Sequence, residues 1–165
     1  MDEQAFHACY RRTAGPLRLY VTRVLGDSTH ADDIVQEAYL RLLRMTSVPE
    51  DAGQVRALLF RIVSNLIVDY WRRQRREAAV EGQTLNTSER SNPGQTIIRR
   101  MDMRRVFEQL RPRDRQLLWL AHVEGATHQE IALALGLRPF SVRVLLLRAR
   151  RKLAKLLKEH EPITR

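Results

Sequence analysis

Between Val55 and Arg76 the chain divides its residues between two faces. Val55, Leu58, Leu59, Ile62, Val63, Leu66, Ile67 and Tyr70 recur at steps of three and four, the period of an α-helix and the wrong one for a strand. Arg61, Asn65, Asp69, Arg72 and Arg76 hold the opposite side at the same steps. One face wants a core, and the other offers cations and an amide outward. Taken alone, the run reads equally well as a core helix whose basic end complements the helix dipole.

Upstream, Phe6, Tyr10, Leu17, Tyr20, Val21, Val24 and Leu25 mark a helical stretch over residues 3–25. Gly15–Pro16 falls inside it and predicts a kink, or a break with Pro16 opening a second segment. Gly26 then ends the helix. Asp27 or Ser28 is placed to cap a second helix, roughly 28–44, with Ala31, Ile34, Val35, Ala38, Leu42 and Leu43 facing inward. Its other face shows Asp32, Asp33, Gln36, Glu37 and Arg41. Residues 45–54 form a loop with Pro49 and Gly53, and three helices predict a compact antiparallel bundle over residues 1–77. From Glu77 the period dissolves into a Ser-, Thr-, Asn-, Gln- and Gly-rich stretch, which reads as a flexible linker over 78–95.

The remaining stretch, 96–165, predicts a four-helix domain. Ile97, Ile98, Met101, Val106, Phe107 and Leu110 mark a helix that stops before Pro112, which opens the next one. That helix carries Leu117, Leu118, Leu120, Ala121 and Val123 to Gly125, with Trp119 as a packing residue. Thr127-x-x-Glu130 is a capping box for a short helix, His128–Leu135. Gly136 ends it, a tight turn follows, and Pro139 opens a last helix to about Lys158. Short helix, glycine turn and long basic helix together make a helix-turn-helix. The fold class is all-α: two small helical domains and a linker.

Charge sharpens this picture. The net charge is +10, with 12 basic and 10 acidic side chains before residue 79 but 14 and 7 after residue 100. Arg138, Arg143, Arg148, Arg150, Arg151, Lys152, Lys155 and Lys158 fall in a stretch with no acid between 138 and 158. Such a face suits a polyanion, with nucleic acid first; the basic stretches lack the aromatic anchors of a membrane-adsorbing helix. Ser141, Arg143, Val144, Leu147 and Arg148 are placed where a recognition helix meets base edges, while Arg150 to Lys158 suit the backbone or a protein. A lone Cys9 excludes an internal disulfide framework, and His122 with His128 does not match a metal-ligand step, so no cofactor or metal is expected. No nucleophile–base pair or Gly-rich phosphate loop points to an enzyme. No signal peptide and no apolar run of about 20 residues appear, so a cytoplasmic protein without membrane insertion is expected.

The quoted stretches DDIVQEAYLRL (32–42), LFRIVSNLIVDYWRRQRR (59–76) and LRPRDRQLLWLAHVEGATHQEIALALGLRPFSVRVLLLRARRKL (110–153), in this order around a polar linker, resemble the extracytoplasmic-function group of bacterial sigma factors. The resemblance covers residues 3–158 and implies a promoter-specificity subunit of RNA polymerase, with core polymerase and promoter DNA as partners and an anti-sigma factor as its inhibitor. It implies docking of Asp33, Gln36 and Glu37, with Arg41 nearby, on the β′ clamp coiled coil. It places Arg61, Asn65, Arg72, Arg73 and the 45–54 loop at the minus-ten element. Thr127, Arg138, Ser141, Arg143, Val144, Leu147 and Arg148 fall at the minus-thirty-five element, in a domain that also meets the β flap. Two departures stand out: Leu145, where the family commonly has a basic residue, and Pro139–Phe140, where it tends to be small or polar. Val144 to Leu147 is apolar around most of a turn, so part of it is expected to be covered by the other domain or an anti-sigma partner. A stand-alone helix-turn-helix regulator is the alternative function; it leaves the 33–37 patch without work.

Overall fold

A computed structural model describes residues 2–81 and 98–160, whose regular elements are seven helices with no strand among the described residues. They are α1 (Glu3–Leu25), α2 (Ala31–Arg44), α3 (Ala52–Glu81), α4 (Ile98–Gln109), α5 (Pro112–His122), α6 (His128–Leu135) and α7 (Pro139–His160). The expected linker lies mostly outside the described residues, as does Ile97; α3 itself runs past residue 77 to Glu81.

Helix α1 begins where the Asp2 carboxylate accepts the Ala5 N–H at 2.7 Å and ends at Gly26, whose φ of 78° only glycine adopts freely. Of the kink or break expected at Gly15–Pro16, the break does not occur: α1 runs through Pro16 as one helix. Pro16 cannot donate to the carbonyl one turn back, but Thr13, Leu17, Tyr20, Val21 and Val24 are buried along one face and hold the helix through it. The second cap also differs. Asp27 accepts the Thr29 N–H and hydroxyl, both at 2.8 Å, in a turn of its own, and α2 starts only at Ala31. Leu43 is exposed instead of inward, and Tyr39 fills the core beside Leu42. Asp51 opens α3 by accepting the Gln54 N–H at 2.8 Å.

The N-terminal module packs α1, α2 and α3 against one another, and α5, α6 and α7 make the centre of the second, with α4 laid on α7. The two modules are docked. Helix α3 lies on α6, and α1 lies on α5 and α4, so that Leu17, Tyr20, Leu59, Leu117, Leu120 and Ile131 share one continuous core. Polar groups fasten this seam. The buried Arg115 guanidinium donates to the Val24 carbonyl of α1 at 2.8 Å, to the Leu110 carbonyl at 3.0 Å and to the Glu108 carbonyl. Arg56 of α3 pairs with the nearly buried Glu124, which also accepts the Trp119 indole N–H at 3.2 Å.

Candidate nucleic-acid interface

Three polar faces remain after packing. On α2, Asp33 and Gln36 are exposed and Glu37 is half-buried. Neighbouring Asp32 is held by Arg18 of α1 at 2.5 Å, while Asp33 forms no ion pair among the described residues. Glu37 accepts from Arg41 at 2.9 Å, and this bond holds its carboxyl below the usual carboxylate range. Glu37 therefore keeps its charge at neutral pH.

Arg41 also belongs to a second face. With Leu66, Asp69, Arg72, Arg73, Arg75 and Arg76 it lines an open cleft of about 710 Å³ between the end of α2 and the C-terminal half of α3. Asp69 lies 3.8 Å from Arg72, the intrahelical pairing its spacing implies, so Arg73, Arg75 and Arg76 keep their charges available to an anion. Arg75 escaped the sequence reading because it lies off the face that Arg72 and Arg76 share. Arg61 and Asn65 are exposed further toward the start of α3, outside this cleft. The loop expected over 45–54 ends at Asp51, because Ala52 already opens α3. It walls a separate hollow of about 750 Å³, where Val48, Pro49 and Val55 of α3 face Ala8, Cys9 and Thr13.

The third face is the helix-turn-helix. The Thr127 hydroxyl accepts the Glu130 N–H at 3.2 Å, and the Glu130 carboxylate accepts the Thr127 N–H at 2.7 Å. Thr127 therefore serves α6 as a cap, whatever else it touches. Gly136, at φ 62°, lets the Leu137 N–H reach back to the Ala132 carbonyl at 2.8 Å and turns the chain into α7. Burial of Val142, Leu146 and Ala149 rolls α7 so that Arg138, Arg143, Val144, Leu147 and Arg148 face outward, with Ser141 half-buried. Phe140, which the sequence reading left out of the site, is 73% exposed at the start of this face. Module docking leaves Val144 and Leu147 exposed, with Leu146 inward and Leu145 half-buried. Three of the distal cations are already engaged: Lys152 with Asp114 at 2.7 Å, Arg150 with His122 at 3.1 Å and Lys155 with Glu159 at 3.9 Å. Among the described residues no cluster of three metal-ligating side chains forms, and no helix is long and apolar enough to cross a membrane.

Comparison with known proteins follows the two modules. The family description "Sigma-70 region 2" matches residues 9–77, and "Sigma-70, region 4" matches residues 100–153. The chain is 32% identical to the ECF RNA polymerase sigma factor SigL of Mycobacterium tuberculosis, over 92% of this chain and 88% of that one. It is 30% identical to the ECF RNA polymerase sigma factor EcfG of Rhodopseudomonas palustris, over 86% and 78%. In fold it is similar to the sigma factor RpoE of Bartonella quintana, solved in complex with the anti-sigma factor NepR, with TM-score 0.75, 21% identity and coverage of 97% and 98%.

Proposed function

Because this chain belongs to the extracytoplasmic-function group of sigma-70 factors and is an RNA polymerase sigma factor, we propose that its three polar faces divide the work of promoter-directed initiation. Asp33, Gln36 and Glu37 dock on the β′ clamp coiled coil. Arg73, Arg75 and Arg76 hold the phosphates of the minus-ten segment, with Arg72 and Arg41, each already paired with a carboxylate, at the rim of the same cleft. Arg61 and Asn65 face the bases of that segment. The hollow behind Val48 and Pro49, whose apolar wall is edged by Asp2, Arg12, Glu50 and Arg56, is a candidate receptor for a base leaving the stack. Arg138, Ser141, Arg143, Val144, Leu147 and Arg148 read the minus-thirty-five duplex.

The observation that carries this division is the placement of two cationic faces, on α3 and α7, in separate modules of one chain, with the exposed Asp33 and Gln36 and the half-buried Glu37 beside the first. A groove of about 540 Å³ lined by Met103, Phe107, Leu118, Trp119, Val123 and Leu153 offers an apolar seat for the β flap. An anti-sigma factor is the proposed inhibitor, in keeping with the complex known for the similar RpoE, and the cytoplasm is the proposed location.

The test adds purified protein to core polymerase and promoter DNA and maps transcript starts. New starts on core enzyme, lost when Asp33 and Glu37 are both changed to Lys, support the assignment. A chain that only modulates the starts of another holoenzyme is a stand-alone regulator, and the assignment falls.

A further inference from the structure

Phe140, Val144 and Leu147 lie at i, i+4 and i+7 of α7, in one line along the helix, and are 73%, 48% and 46% exposed. Three large apolar side chains in a row on an exposed helical face are out of place on a merely solvated surface. Arg138, Arg143, Arg148 and Arg151 flank them, all exposed and none in an ion pair among the described residues. An apolar protein helix seated here would strip water from guanidiniums without supplying an anion, which is costly. A duplex supplies both halves of what the face lacks: phosphates for the arginines at the rim, and thymine 5-methyl groups for the apolar line within the major groove.

We propose that Phe140, Val144 and Leu147 form a thymine-methyl-reading stripe, with Phe140, at the end of α7 that enters the groove, fixing one thymine of the preferred duplex. The inference rests on α7 being the minus-thirty-five reader and goes beyond it by naming the chemical group selected. Methyl contact requires no hydrogen bond, so the stripe favours a base bearing a methyl over one that lacks it, and leaves guanine to the neighbouring arginines. Phe140 carries the largest apolar surface of the three and is the most exposed, so it has the most area to gain.

The experiment uses the holoenzyme assembled on core polymerase and a duplex selected by it from a randomised pool. Each thymine of the minus-thirty-five segment is replaced singly by uracil, which removes the 5-methyl group alone, and affinity is read by fluorescence anisotropy at fixed salt. Uracil at a contacted position is expected to weaken binding about fourfold, the value of one buried methyl. Phe140→Ala, an exposed substitution checked for unchanged circular dichroism, is expected to lose that sensitivity at one position while keeping it at the others. Val144→Ala shifts the loss to a different position. If a duplex is selected but uracil is neutral throughout, or if Phe140→Ala retains every wild-type sensitivity, the stripe does not read methyls. If Phe140→Ala instead releases an anti-sigma protein with uracil sensitivity unchanged, the face belongs to a protein partner and the proposal falls. If no duplex is selected at all, the promoter-reading assignment of α7 fails first and takes the stripe with it.

Discussion

Two tyrosine hydroxyls in the N-terminal module are held differently, and the difference sets what each contributes. Tyr20 is fully buried, with its hydroxyl 2.9 Å from that of the buried Ser64. Tyr39 lies 2.6 Å from the Thr13 hydroxyl, whose proton already goes to the Cys9 carbonyl at 2.7 Å. Tyr39 therefore donates to Thr13, and Thr13 keeps a partner when Tyr39 is truncated. Tyr39→Phe is expected to cost about 0.5–1.5 kcal/mol, and Tyr20→Phe, which removes the one side-chain partner seen for a buried hydroxyl, about 1–3 kcal/mol. Urea unfolding measures both. Burial pushes both phenol pKa values up, that of Tyr39 to about 12 and that of Tyr20 further, against about 10 in the unfolded chain. A raised folded pKa favours the protonated fold, so this stability is intact below pH ~10 and lost as pH climbs toward the folded values. The midpoint of unfolding should fall steeply above pH ~10 and less steeply in either phenylalanine variant.

At the scale of the helix, Gly15 sits inside α1 with none of the left-handed φ values that Gly26, Gly125 and Gly136 adopt. A β-carbon added there meets nothing within 4 Å. Gly15→Ala should therefore stabilise the protein by roughly 1 kcal/mol through helix propensity alone, read as a raised thermal midpoint. A lowered midpoint would mean that α1 needs glycine's freedom beside Pro16. The same pair shows where sequence reasoning stops. Gly-Pro is a local signal for a kink or a break, but the buried side chains on either side of it belong to one core, and that packing keeps α1 continuous. The Thr127–Glu130 box was legible because both partners lie within one turn of sequence. The cap of α2 was not, because Asp27 had two possible uses in the same turn and the structure takes the one with Thr29. The arginine face of α3 was likewise legible from its period. Arg75 and Phe140 were missed because their exposure is set by how α3 and α7 roll against their neighbours.

The sequence offered only the apolar turn of α7 as a face for the other module, and the seam lies elsewhere, on α3 against α6 and α1 against α5, because Arg56, Arg115, Gln116 and Glu124 are polar types that a pattern places at the surface. Here they lie at the seam. Burial lowers the Arg115 pKa, with Glu108 opposing the shift, and the guanidinium reaches three carbonyls: Val24 from one module, Leu110 and Glu108 from the other. Its fork geometry matters, because an ammonium lacks the planar array needed to reach several carbonyls at once. The apolar contact of α3 with α6 is non-directional and tolerates sliding, whereas the Arg115 bonds fix one register of α1 against α5. Arg115→Met keeps much of the side-chain volume and removes all three donors, at an expected cost of about 2–3 kcal/mol. The informative readout is geometric. Nitroxide labels at the exposed Gln4 and Gln129, one on each module, should give a single narrow distance in the parent chain and a broadened distribution in Arg115→Met, with Arg115→Lys between them. A Met variant that keeps the narrow distance would show that apolar burial alone sets the register. A chain that must present one cationic face to the minus-ten segment and another to the minus-thirty-five duplex would then have to break that burial, rather than three hydrogen bonds, to move the faces apart on polymerase.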